Sequence, residues 1–237
     1  MRKRLFILVG GLIFVGLLAL VVTPHLAPWA LGRWRSDICF RGASEAKRIF
    51  LTIDDAPSPG TAEILRTLKQ HNVPATFFII ADRVHSHSQL QEIVAAGHSL
   101  GNHLRTTTPC SELSLEEFRK DFDACAATLS RVQPTRLFRP PSDFGTRHQM
   151  AYARGQGAVP VMGTVFPLDH WISNPTLLTM LGRWLSVRGG IVILHDGDSR
   201  GRTTANVLDQ LIPKLKAAGY SFGRLDEIGL TAVTSPP

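Results

Sequence analysis

The sequence predicts an α/β domain built as a distorted (β/α)7 barrel, preceded by an N-terminal transmembrane helix. Three observations support this. Short continuous apolar runs alternate with amphipathic helical patterns from residue 48 to residue 228, the signature of a parallel sheet buried on both faces. About seven such units follow one another, which favours a barrel over an open sheet. Ahead of them, residues 5–23 form an uncharged apolar run behind the basic start Met1–Arg4, long enough to cross a bilayer as a helix.

The elements follow in order. Arg2, Lys3 and Arg4 hold the start of the chain in the cytoplasm and send the remainder outward. A cleaved signal peptide is the competing reading, giving a secreted protein; the length of the run and the lack of a small-x-small site after Val22 favour an uncleaved anchor. Residues 1–35 are then basic start, anchor and linker, and 36–237 the folded domain. "RIFLTIDD" (48–55) reads as a strand ending in carboxylates, and Ile64, Leu65 and Leu68 mark a helical face over 61–71. "ATFFII" (75–80) is a buried strand, 88–96 a helix, and "HSLGNH" (98–103) closes a third unit.

Ser114 and Glu117 form a capping box, and Leu115, Phe118, Phe122, Cys125 and Leu129 continue a helix behind it. Further strands lie in 135–141, 158–166, 189–196 and 220–228, with helical patterns near 146–155, 175–187 and 203–218 between them. "GYSFG" (219–223) matches a serine-hydrolase elbow only formally, since it follows a helix and opens a strand.

Composition narrows the class. Of 237 residues 44% are hydrophobic and 19% charged, which excludes long disorder. The net charge of +7 is scattered and carries no nucleic-acid motif, so no nucleic-acid partner is expected; an anionic membrane or wall polymer fits it better. Cys39, Cys110 and Cys125 have neither zinc-finger nor redox spacing. Cys125 is expected to be buried packing, and a Cys110–Cys125 bridge remains an option.

In a parallel barrel, function gathers at the C-terminal ends of strands. Those ends here carry Asp54 and Asp55, then His103, Arg139, Asp169 with Trp171, and His195 with Asp196. Acids and imidazoles at successive strand ends suit hydrolysis. Of two adjacent carboxylates, one can hold a cation while the other activates water. Trp171 offers a ring for sugar stacking or merely a rim aromatic, and His170 stands beside it. His98 reads as a packed turn histidine, and His85 and His87 as exposed residues at a helix start.

"FLTIDDAPSPGTAEILRTLKQHNVPATFFI", "GHSLGNH", "LFRPP" and "IVILHDG" occur in the order seen in polysaccharide deacetylases related to the rhizobial chitooligosaccharide deacetylase (carbohydrate esterase family 4). The resemblance spans roughly residues 46–230. It implies a hydrolase that removes N-acetyl groups from an N-acetylglucosamine polymer, chitin-like or peptidoglycan, using a divalent metal, usually zinc. Asp54 resembles the catalytic base and Asp55 and His103 the metal ligands. Arg139 matches the arginine that orients the base, and Asp169 the acid that pairs with that arginine. His195 resembles the general acid, with Leu194 lining the acetyl pocket and Pro140 and Trp171 beside the substrate. The sequence departs from the family where its second metal histidine stands, here Thr107, a poor zinc ligand. It also departs at Ala56 and at Ser142-Asp143, and Asp143 is a candidate replacement ligand. A barrel that binds glycan without turnover is the alternative expectation.

Overall fold

A computed structural model describes residues 30, 32–42, 47–169, 171–197 and 200–227. The expected anchor over 5–23, most of its linker, His170 and the chain after 227 lie outside the described residues. Among the described residues no helix is long and apolar enough to cross a membrane.

Seven strands form one sheet: β1 (Arg48–Ala56), β2 (Thr76–Ile79), β3 (Ser99–Asn102), β4 (Leu137–Phe138), β5 (Val159–Pro160), β6 (Gly190–His195) and β7 (Ser221–Gly223). They run in the order β5-β4-β3-β2-β1-β6, with β7 against the start of β1, and every pair is parallel. The helices are α1 (Thr61–Gln70), α2 (His87–Ala95), α3 (Leu115–Ser130), α4 (Arg147–Gly155), α5 (Pro175–Leu185) and α6 (Arg200–Ala217). The predicted alternation of strands and helices is met in order, although the strands expected over 158–166 and 220–228 shorten to Val159–Pro160 and Ser221–Gly223.

The expected distorted barrel is met in part. The sheet is a curled half-barrel, and between β5 and β6 only isolated bridges remain: Val165 pairs with Val192, and Cys39 with Val161. Local chemistry explains the break. Pro160 has no N–H to continue a ladder, and at Gly163 a Cβ would lie 2.5 Å from Ile193 Cγ1, so the chain runs too close to β6 for ordinary side chains. The segment 38–42 covers this edge, with Gly42 donating its N–H to the Gly189 carbonyl at 2.9 Å.

Alternation along β1 and β6 divides the core. Ile49, Leu51, Ile53, Val192 and Leu194 face the helices and pack with Ile64, Leu68, Leu208 and Leu211. Phe50 and Ile191 face inward with Phe78, Leu137 and Val161. Each such fully buried side chain contributes roughly 1.5–3 kcal/mol, so a one-residue slip of either strand would be very costly and the strand ends are fixed.

The Ser114–Glu117 capping box forms as expected and opens α3. Cys125 packs in the core with its thiol on the Ile79 carbonyl, while Cys110 lies in a separate cluster. All three cysteines are free thiols, so the optional bridge is absent. α6 begins at Arg200, earlier than its apolar pattern suggests, because Gly201 packs on Gly60. A Cβ at 201 would lie 2.7 Å from Gly60 Cα and 2.6 Å from Asp196 Oδ1. Asp196 itself is structural: its buried carboxylate accepts from the Ser58 and Thr61 hydroxyls, tying the end of β6 to the start of α1.

Candidate active site

Strand alternation should send Asp54 and Asp55 to opposite faces of β1. They end in the same cavity because the backbone turns at Asp55, which has φ 63, a left-handed conformation that costs a non-glycine residue and collects at functional sites. The β1–β2 register shifts at this point, between Ile53 and Ala56. Arg83 fixes the turn by donating from Nη1 to the Asp55 carbonyl at 2.7 Å.

Asp54 is gripped from behind. Arg139, 1% exposed, donates from Nη1 to Asp54 Oδ1 at 2.6 Å and to Thr52 Oγ1 at 2.7 Å, and from Nε to the Val161 carbonyl at 3.1 Å. Its guanidinium lies 4.1 Å from the Phe78 ring centroid, where a cation is attracted to the π-face. Burial pulls the Arg139 pKa down and the Asp54 charge opposes that pull. A charge buried this far is held by its partners.

His103 ends the segment after β3. Its Nδ1 lies 2.8 Å from the Arg139 carbonyl oxygen, which can only accept, so Nδ1 carries the proton. Nε2 is thereby turned toward the carboxylates, 3.6 Å from Asp55 Oδ1 and 3.9 Å from Asp54 Oδ2. A basic nitrogen facing carboxylate oxygens suits a cation between them. The second-position hydrogen bond from Nδ1 is the one that orients metal-binding imidazoles. Asp55 and His103 therefore fit a divalent cation as two donors, the rest of its shell being left to water or substrate. Among the described residues no group of three or more His, Cys, Asp or Glu is arranged to hold a metal ion.

Across the cavity, His195 at the end of β6 pairs with Asp169. The His195 backbone N–H donates to Asp169 Oδ2 at 2.8 Å, and its Nδ1 donates to Oδ1 at 2.9 Å. Burial alone would lower the His195 pKa. The Asp169 hydrogen bond and charge, with Asp54 and Asp55 beyond, outweigh burial and raise it. Asp54, Asp55, His103, Arg139, Asp169 and His195 all line one cavity of about 600 Å³.

The family match supplies the decisive observation: a family described as polysaccharide deacetylase matches residues 41–159. The chain belongs to the polysaccharide deacetylase family. A peptidoglycan-N-acetylglucosamine deacetylase of Bacillus cereus is 30% identical over 187 residues, covering 77% of this chain and 88% of the relative. Among solved structures, a peptidoglycan N-acetylglucosamine deacetylase in complex with an N-hydroxybenzamide superposes with a TM-score of 0.77 at 25% identity, covering 84% of this chain and 95% of that one. A family 4 pseudoenzyme from Bacillus anthracis superposes at 0.72 with 29% identity, covering 80% and 67%.

Most of the deacetylase-like residues expected from sequence converge, but three details differ. Asp169 pairs with His195 rather than with Arg139, because both its oxygens are taken by the His195 backbone and ring. Asp143 is no replacement ligand: its oxygens accept from the Ser111 and Gly145 N–H groups, at 2.9 and 2.7 Å, and it organises a loop. Leu194 packs on the helix side of β6, so Ile193, one residue earlier, lines the cavity. Thr107 reaches the cavity wall, as its position in the loop after His103 suggested.

Pro140 and Trp171 line the cavity as expected, Trp171 at the rim and 78% exposed. Phe166 and Leu168 extend that apolar rim. Sequence reasoning missed Arg83 and Arg200. Arg200 donates from Nη2 to Asp55 Oδ2 at 3.1 Å. A basic residue just past the "HDG" strand end, at the first turn of the next helix, was the available signal. Elsewhere the smaller expectations hold: His98 is buried, accepts the Ala75 N–H and is held neutral, its pKa lowered to about 4 by burial.

Proposed function

We propose that this protein is a hydrolase that removes N-acetyl groups from an N-acetylglucosamine-containing polysaccharide, a chitin-like oligomer or peptidoglycan. The observation that carries the proposal is the pair of opposed groups in one cavity: Asp54 bound to the Arg139 guanidinium, and His195, whose pKa rises despite burial because Asp169 pairs with it. Names of relatives supply the substrate class, since the Bacillus cereus protein is a peptidoglycan-N-acetylglucosamine deacetylase.

In this reading water attacks the acetamide carbon and Asp54 accepts its proton. The C–N bond then breaks, and His195 gives a proton to the leaving nitrogen, yielding acetate and a free amine. Arg139 pairs with Asp54 and aims it. Ile193, Pro140 and Trp171 shape the wall that seats the sugar and limits water. Asp55 and His103 would hold a divalent cation, zinc by donor type, which when bound polarises the acetamide carbonyl. Residues 36–237 would form the catalytic domain, carried outside the cytoplasm on a membrane anchor at 5–23.

A second reading has its own support. Thr107 in the ligand position and the Arg200 guanidinium on Asp55, in a chain that superposes on a family 4 pseudoenzyme, favour a barrel that binds glycan without turnover. Acetate release from chitooligosaccharides and from peptidoglycan, measured on the full-length protein with and without chelator, separates the two. Release abolished by Asp54→Asn and by chelator is expected. Glycan binding with no acetate release at any metal concentration would refute the hydrolase.

A further inference from the structure

Arg200 opens α6 and lines the same cavity as the acid and base. Its Nη2 donates to Asp55 Oδ2 at 3.1 Å while Asp55 Oδ1 faces His103 Nε2 at 3.6 Å. Both groups are largely shielded, with side-chain exposures of 20% for Arg200 and 9% for Asp55. The Arg200 Nε also donates to the Gly197 carbonyl at 3.2 Å, which fixes the guanidinium against the loop after β6. The early start of α6, permitted by the Gly60–Gly201 contact, is what brings this residue to the cavity.

We infer that Arg200 is a metal-competing residue: its guanidinium occupies the Asp55 oxygen face that a divalent cation must share, and so sets the cation affinity of the Asp55–His103 pair. The inference rests on the reading of that pair as the metal donors. A cation entering beside Asp55 must either displace Arg200 or accept a positive charge within a few ångströms, and in a partly desolvated site that repulsion is strong. Thr107 leaves the pair without a second imidazole that could outweigh the guanidinium. Arg83 donates to the Asp55 backbone carbonyl at 2.7 Å and so supports the turn there.

Titration calorimetry of the full-length, chelator-treated protein with Co2+ alone tests this directly, with the visible absorption of bound Co2+ as an independent readout. Arg200→Gln removes the charge and keeps a hydrogen-bonding side chain. It is expected to bind Co2+ about tenfold more tightly than wild type or better, a difference of about 1.4 kcal/mol. Arg200→Lys should stay near wild type and guards against a folding defect in the glutamine variant. Asp55→Asn should abolish binding in either background. Equal Co2+ affinity of wild type and Arg200→Gln, or weaker binding by the variant, would overturn the inference while leaving the metal pair intact. Absence of Co2+ binding from wild type and both Arg200 variants would overturn the inference together with the assignment of Asp55 and His103 as donors.

Discussion

Replacing Arg139 with methionine should be among the most damaging single changes in the described domain. The guanidinium is fully buried and makes hydrogen bonds to Asp54, Thr52 and the Val161 carbonyl. Methionine fills similar volume against Phe78 but leaves the Asp54 carboxylate, 3% exposed, without its cation. Breaking one side of a buried ion pair costs about 3–5 kcal/mol. In a domain of this size that is a fall in Tm of roughly 6–20 °C. The same substitution in an Asp54→Asn background should cost only about 2 kcal/mol, because what then remains is two hydrogen bonds worth about 1 kcal/mol each. The coupling between the sites is thus about 1–3 kcal/mol. Urea unfolding of wild type, both single variants and the double variant closes the cycle. It should be run with chelator, so that no added cation stands in for the missing guanidinium. A coupling below about 0.5 kcal/mol, the usual error of additivity, would refute the claim that Arg139 and Asp54 stabilise the fold as a buried pair.

Asp169→Asn tests the opposing dyad. The folded-state pKa of His195 is raised, so the stability it adds is fully present below about 6.5, its unfolded value, and is lost as pH rises through the folded value. The wild-type advantage over Asp169→Asn should therefore be largest in mild acid and shrink at alkaline pH, and in activity the descending alkaline limb should move to lower pH in the variant. Flat difference stabilities from pH 5 to 9 would count against the pairing. Asp143→Ala removes the acceptor of the Ser111 and Gly145 N–H groups, and should destabilise by about 1–3 kcal/mol while leaving Co2+ affinity unchanged; a loss of affinity would reinstate Asp143 as a ligand. Leu194→Ala should cost about 2–5 kcal/mol of stability by opening a core cavity. Ile193→Ala should instead raise KM for acetylated oligosaccharide, and the reverse pattern would mean that the faces of β6 are misassigned.

Much of the fold was legible because local and global signals agree. Apolar runs at 48–53, 76–79 and 190–194 can be satisfied only by burial on both faces, and caps such as Ser114–Glu117 mark a helix start by chemistry confined to a few residues. The break between β5 and β6 was not legible, since it depends on how closely Gly163 passes Ile193, a contact between segments far apart in the chain. In the site, Asp54, His103 and His195 announced themselves as polar residues ending apolar strands. Orientation was harder. Leu194 is excluded from the cavity by simple alternation from His195, a rule that the family motif tempts one to ignore. The Asp169 partner could not be chosen from sequence, because only the path of the irregular 161–169 segment, which bridges to β6 at Val165–Val192, decides between His195 and Arg139.

The least legible property of the site is its charge balance, and it bears most on function. Among the described cavity-lining residues, the carboxylates of Asp54, Asp55 and Asp169 stand with the guanidiniums of Arg83, Arg139 and Arg200. Asp54 has Arg139, Asp55 has Arg200, and Asp169 has His195 as direct partners. Each acid is thus compensated by side chains of the protein itself. A site that depends on a dication for its integrity would instead leave carboxylates facing one another, since only the ion relieves their repulsion. Here the Asp54–Arg139, Asp169–His195 and Asp55–Arg200 pairs are made by the protein's own side chains, and a cation would add charge to a set already near neutrality. Retention of the proton-handling pairs therefore argues for chemistry, while self-compensation at Asp55 argues for weak cation binding. The two are compatible if Arg200 yields when substrate and cation arrive together, so cation affinity measured with a bound acetylated oligosaccharide should exceed that of the protein alone.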